Sequence, residues 1–183
     1  IAVNAAHVAL AAADKTGADI DMVIVSCAYT ERSYPAIAIE VQSELGIEGS
    51  GFDMLVACSA ATFALQRAHD AIAAGSARAV LVINPELTSP QINYCDRDSH
   101  FIFGDICSAV VMELEEDCTA DDAWRVLSRK AMTQYSTNIR SNMSPMLRLA
   151  DGGDSRPDGY FIQEGRKVFK ELLPMVVNFI RGH

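Results

Sequence analysis

Phe52-Asp53-Met54-Leu55-Val56-Ala57-Cys58-Ser59-Ala60-Ala61-Thr62-Phe63-Ala64-Leu65 is the stretch that decides the fold. An apolar run ends on a cysteine, and a helical pattern begins at once. That is a strand handing over to a helix, the repeating step of an α/β sheet. A cysteine at such a junction lies where unpaired N–H groups of the first helical turn converge, which favours thiolate over thiol. Cys58 is therefore a candidate nucleophile for acyl transfer. Taken alone it has a second reading, a small buried hydrophobe, as free cysteine often is.

Outward from this junction the same alternation continues. Val3, Ala6, Ala9, Leu10 and Ala13 follow helical spacing, and Gly17 is expected to end that helix. Residues 21–25 read as a buried strand. Pro35 is expected near the first position of the next helix, with Ile37, Val41 and Leu45 inward and Gly46 at its exit. After Cys58 a long helix runs to about Gly75, and residues 79–83 form another buried strand. A polar loop follows from Pro85 to about Ser99. Residues 101–103 and 108–113 read as strands about a turn at Gly104-Asp105. From Glu115 to about Asp122 the chain is acidic, and from about Asn138 to Gly159 it reads as loop. A helix resumes from Gly165 to Ile180, with Val168, Leu172, Val176 and Phe179 on one side and Pro174 as a possible kink. Strands alternating with helices predict a mainly parallel sheet covered on both faces.

Composition narrows the function. Of 183 residues, 50% are hydrophobic and 21% charged, which suits a soluble α/β domain with a sizeable core. No apolar run approaches the roughly 18 residues of a membrane span, and no signal-peptide pattern opens the chain. The five cysteines, at 27, 58, 95, 107 and 118, show no zinc-like spacing, so no metal is expected and a reducing cytoplasm fits. A net charge of −9 argues against nucleic acid as a partner. The chain opens on Ile1 inside a helical pattern and closes on His183 at the end of another, so a piece of a longer protein is expected.

Four segments in order carry a resemblance: Tyr34-Pro35 with Gln42, Leu45, Gly46 and Ile47; residues 52–61 around Cys58; Asp96-Arg97-Asp98-Ser99-His100-Phe101-Ile102-Phe103-Gly104-Asp105; and Gly165-Arg166-Lys167-Val168-Phe169-Lys170. Together they resemble β-ketoacyl-acyl-carrier-protein synthase III, a condensing enzyme of the thiolase-like family. The resemblance spans about residues 20–115 and 160–172. It implies a thiolase-like layered α/β/α fold. Residues 1–120 would be its N-terminal half without the first strand; residues 121–183 would be a linker and the opening helix of the C-terminal half.

The resemblance also implies a reaction. A cysteine takes an acyl group from acyl-CoA, malonyl-acyl carrier protein loses CO2, and the carbanion attacks the thioester. Cys58 matches the nucleophile, and its backbone N–H one oxyanion donor. Arg97 matches an arginine that holds the adenine end of CoA, and Phe169 a residue lining the pantetheine channel. Tyr34 matches a position that can floor the primer pocket, sometimes from the partner subunit, and a large ring there argues against very long primers. Lys170 matches a lysine of the carrier-protein docking face, with Arg166 and Lys167 as basic neighbours. Each of these has a plainer alternative: a solvated loop arginine, core packing, or a solvated helix face. The family is usually a homodimer with central strands pairing across the interface, for which residues 80–83 are the candidate here. No cofactor is implied, since acyl-CoA is a substrate, and neither nucleic acid nor membrane is an expected partner.

Two departures stand out. The family's Gly-Asp-Gly-Ala-Gly-Ala turn is here Gly104-Asp105-Ile106-Cys107-Ser108-Ala109, so two glycines are replaced and the turn must avoid positive φ or be reshaped. Cys107 is read as packing. The family's catalytic histidine and asparagine are not matched; His7, His69, His100 and His183 fit neither position. The 183 residues alone are therefore expected not to complete condensation. Two other functions remain: an acyltransferase or synthase of secondary metabolism with the same fold, and a non-catalytic partner in a condensing heterodimer.

Overall fold

The computed structural model describes residues 1–141 and 160–183. They fall into two compact units. The first comprises Ile1–Glu86 and Ile106–Arg129, the second Leu87–Asp105 and Lys130–His183.

The first unit is a four-stranded sheet with helices on both faces. Its elements are α1 (Ala2–Ala12), β1 (Met22–Cys27), α2 (Ile37–Leu45), β2 (Ser50–Leu55), α3 (Ala60–Ala73), β3 (Ala79–Glu86) and β4 (Ile106–Glu113). The order across the sheet is β2-β1-β3-β4. β1 runs parallel to β2, with Cys27 opposite Leu55, and parallel to β3, with Val25 opposite Ile83. β4 is antiparallel to β3, pairing Ala79 with Glu113 and Glu86 with Ile106.

The side-chain alternation of the inner strands divides the core in two. Val23, Val25, Leu81 and Ile83 pack with Ala6, Leu10, Ala38 and Val41 of α1 and α2. Ile24, Val80 and Val82 face the other way, onto Ala64 and Ala68 of α3. Both faces are covered, so the inner strands are continuous apolar runs. This is the expected α/β/α layering.

β3 has β1 on one side and β4 on the other. Its apolarity marks an interior strand, and it has no edge free to pair across a dimer interface. The expectation for residues 80–83 is corrected on that ground; the edge strands are β2 and β4.

Other expectations shift locally. α1 ends at Ala12, and Gly17 instead opens a single helical turn, Gly17–Asp19. Its hydrogen is needed there because a Cβ would lie 2.1 Å from the Leu45 carbonyl oxygen. α2 begins at Ile37, so Pro35 precedes the helix rather than occupying its first position. Gly46 closes α2 in the left-handed region at φ 63°, and Ile47 N–H returns to the Gln42 carbonyl at 3.0 Å. Residues 101–103 form no strand. Ile106 and Ser108, where the family has glycine, lie in β4 with no positive φ. Cys107 is half-buried against the core, and burial raises its pKa. The acidic end of β4 and the stretch after it are drawn onto basic side chains: Lys15 Nζ lies 2.8 Å from Glu113 Oε2, and Arg78 Nη2 2.6 Å from Asp117 Oδ1.

The second unit contains β5 (Ile139–Ser141), β6 (Phe161–Gln163) and α4 (Gly165–Arg181). β5 and β6 pair antiparallel, so the first residues of the expected 138–159 loop are strand; residues 142–159 lie outside the described residues. Helix α4 runs through Pro174 and contains no buried residue. The 130–138 segment fastens it. Lys130 Nζ lies 4.9 Å from the Phe179 ring centroid and donates to the Gly182 carbonyl at 2.9 Å, while Ser136 Oγ donates to Glu171 Oε2 at 2.8 Å.

Candidate active site

The site is built at the carboxyl ends of the parallel strands. One residue beyond β2, Val56 N–H donates to the Cys27 carbonyl at 3.2 Å, extending the pairing with β1. Ala57 then takes φ of 46°, in the left-handed region where an alanine is strained. The reversal ends the strand, and the turn Ala57–Ser59 closes through Ser59 N–H to the Val56 carbonyl at 3.1 Å. α3 starts at the next residue. Cys58 sits in this turn and is exposed, so the reading as a buried hydrophobe is excluded. Its own N–H donates to no acceptor among the described residues. An accessible sulfur beside an unengaged N–H can attack a carbonyl and stabilise the oxyanion that results.

Around this turn lie groups that the sequence reading did not single out. Cys27, at the end of β1, is buried, and its Sγ donates to the Tyr29 carbonyl at 3.1 Å. Burial, then the nearby Glu86 and Asp53 carboxylates, push its pKa up to about 12. Glu86, at the end of β3, accepts the Ala28 N–H on Oε2 at 3.2 Å, and burial raises its carboxyl above the ordinary range. Asp53 of β2 accepts Ile37 N–H at 2.8 Å and Ala38 N–H at 2.9 Å, supplying the cap that Ala36 cannot. The sequence signal was a lone acid within the apolar run before Cys58.

Tyr34 belongs to the same unit, in the loop between β1 and α2, with its ring 84% exposed. The other expected site residues are in the second unit. Arg97 is exposed and has no charged partner among the described residues. Asp96 shapes its turn, accepting Ser99 Oγ at 2.5 Å and Asp98 N–H at 3.0 Å, and these bonds hold the Asp96 carboxyl below its usual range. The Gly104-Asp105 segment is tied back by Ser89: its N–H donates to Asp105 Oδ1 at 2.9 Å and its hydroxyl to Oδ2 at 2.7 Å. Arg166, Lys167, Phe169 and Lys170 are all exposed on the first turns of α4. Lys167 is paired with Glu164. Of the histidines, His69 on α3 meets Arg129, and His100 Nδ1 lies 2.8 Å from the Asp96 carbonyl. No group of three or more potential metal ligands occurs among the described residues. No helix there is long and apolar enough to cross a membrane.

The family model for 3-oxoacyl-[acyl-carrier-protein (ACP)] synthase III matches residues 52–134, a span that includes Cys58, Arg97 and the Gly104-Asp105 turn. A β-ketodecanoyl-[acyl-carrier-protein] synthase of Pseudomonas aeruginosa is 49% identical over 183 residues, all of this chain and 52% of that protein. The chain is similar to the synthase III family over this span. A β-ketoacyl-[acyl-carrier-protein] synthase III of a Bradyrhizobium species is 35% identical, over 98% of the chain and 54% of that protein. Among solved structures, the priming β-ketosynthase of a polyketide biosynthetic pathway superposes with a TM-score of 0.80 at 26% identity, over 97% of the chain and 52% of that structure. The layering described above is thus that of the thiolase-like synthase III fold. The chain spans about half the length of the curated relatives it matches.

Proposed function

We propose that the full-length protein is a condensing enzyme that joins an acyl-CoA primer to malonyl-acyl carrier protein, with Cys58 as the acyl carrier. Sulfur attacks the thioester carbonyl, the Cys58 N–H receives the oxyanion, and CoA leaves as its thiolate. Malonyl-carrier protein then loses CO2. The carbanion attacks the Cys58 thioester, giving the β-ketoacyl product and returning the cysteine thiolate. The observation that carries this reading is Cys58 itself, exposed on a strained strand-to-helix turn, its N–H without an acceptor among the described residues.

In this reading Arg97 contacts the adenine end of CoA, Phe169 lines the pantetheine path and Tyr34 borders the acyl chain. Arg166 and Lys170, exposed one helical turn apart on α4, receive the carrier protein together with Lys167. The name of the Pseudomonas relative favours a product of β-ketodecanoyl length, and hence a medium-chain primer. No cofactor takes part, and the enzyme acts as a cytoplasmic homodimer, joined through an edge strand rather than β3. Likeness to the priming β-ketosynthase supports a second reading, a synthase of secondary metabolism with the same cysteine chemistry.

The test is turnover of the full-length protein with acyl-CoA and malonyl-acyl carrier protein, followed as CO2 release and β-ketoacyl product. Product that disappears in Cys58→Ala supports the proposal. Acyl transfer from Cys58 to an acceptor other than malonyl-acyl carrier protein selects the second reading.

A further inference from the structure

Residues 28–36 join β1 to α2, and a carboxylate from a neighbouring strand holds each end of this loop. At the start, Glu86 of β3 accepts Ala28 N–H at 3.2 Å, and the Cys27 thiol donates to the Tyr29 carbonyl at 3.1 Å. At the end, Asp53 of β2 accepts the N–H groups of Ile37 and Ala38 at 2.8 and 2.9 Å. A carboxylate there also suits the positive end of the helix. Between the two clamps, residues 31–35 are all exposed, and Tyr34 is 84% exposed.

The loop emerges beside the nucleophile. β1 and β2 are parallel, Cys27 lies opposite Leu55, and Val56 N–H reaches the Cys27 carbonyl. The loop and the Cys58 turn therefore leave the same rim of the sheet from adjacent strands, about 4.8 Å apart. In open α/β sheets ligands bind outside this carboxyl rim. Its middle is exposed, with Arg32 paired to Glu40 of α2; a loop so held, one strand away from the reacting sulfur, borders whatever chain that sulfur carries.

We propose that Asp53 and Glu86 are positioning residues for acyl selectivity: by pinning both ends of the 28–36 loop, they set which acyl chains Cys58 accepts. The inference rests on the reading of Cys58 as the acyl-bearing nucleophile. Neither carboxylate touches the acyl group; each acts through backbone N–H groups at the ends of the loop. Asp53 holds two of them, so its removal loosens the Tyr34 side of the loop more than loss of Glu86 does.

The experiment uses the full-length protein, with straight-chain acyl-CoAs of increasing length as probes and intact mass as the readout of Cys58 acylation. Wild type is compared with Asp53→Asn, which is nearly isosteric but cannot accept both N–H groups, and with Glu86→Ala. The expected result is that acylation persists while the ratio of long- to short-chain rates shifts by roughly tenfold, the discrimination a hydrophobic pocket draws from about one methylene. An unchanged ratio, or an equal loss at every length, overturns the proposal. Should Glu86→Ala fail to fold, Asp53→Asn decides alone. A wild-type protein labelled by none of the acyl-CoAs overturns the underlying reading and this inference with it; a labelled wild type whose profile the variants share overturns the inference only.

Discussion

The Val56 N–H donates to the Cys27 carbonyl at 3.2 Å, and this is the last rung between β2 and β1 before the chain departs for Cys58. The chain leaves extended geometry at Val56, at φ −134° and ψ 22°, and reverses at Ala57, at φ 46°. The turn that exposes the cysteine is thus made where the ladder ends, by Val56 and the strained Ala57 together.

Replacing Ala57 by glycine removes that strain. The left-handed region costs an alanine about 1–2 kcal/mol, and the freedom glycine adds to the unfolded chain returns part of the gain. Ala57→Gly is expected to raise stability by about 0.5–1 kcal/mol in denaturant unfolding. A loss of stability would show that Ala57 is not strained.

The thiols differ in environment, and alkylation of the native protein at neutral pH reads the difference. Cys58 and Cys95 are exposed, whereas Cys27 is buried, with its pKa pushed up to about 12. Cys58 and Cys95 are expected to be labelled in peptide maps, and Cys27 only after unfolding, since the thiolate is the reactive form. Labelling of Cys27 in the native state contradicts the packing of β1 against Glu86.

Glu86 predicts a pH dependence of known sign. Burial raises its pKa in the folded state, so the folded chain binds that proton more tightly than the unfolded one. Its penalty is absent below the ordinary glutamate value of about 4.3 and grows as pH rises to the raised folded value. Glu86→Gln keeps an oxygen for Ala28 N–H and cannot ionise. The variant is expected to lose less stability than wild type between those two pH values, measured by denaturant unfolding at a series of pH values. Parallel curves would contradict it.

Gly17 tests the close approach of the chain to α2. A Cβ at this position would lie 2.1 Å from the Leu45 carbonyl oxygen, a backbone atom that cannot step aside cheaply. Gly17→Ala is expected to cost about 1–3 kcal/mol, the range for overpacking. Gly104 has open space around it, and the same substitution there serves as the near-neutral comparison.

Much of the fold could be read locally. The strand-turn-helix at Cys58 and the left-handed exit at Gly46 are short-range patterns, and the structure has both. What could not be read depends on distant partners. α2 starts two residues beyond Pro35 because its cap comes from Asp53 on another strand. Residues 80–83 look alike whether a strand is interior or at an interface, and only the neighbours β1 and β4 settle it. Residues 101–103 are apolar enough for a strand, yet Phe103 packs edge-on to Phe161, with ring centroids 4.9 Å apart. At the site, Cys58 was evident from its setting, whereas Asp53, Glu86 and Cys27 become visible only once three strands are side by side.

The most direct test of the account is mass spectrometry of the full-length protein after incubation with medium-chain acyl-CoA, beside Cys58→Ala. The account predicts a single acyl adduct, mapped to the peptide carrying Cys58 and absent from the variant. An adduct that survives in Cys58→Ala, or a folded wild-type protein that takes up no acyl group, would contradict it.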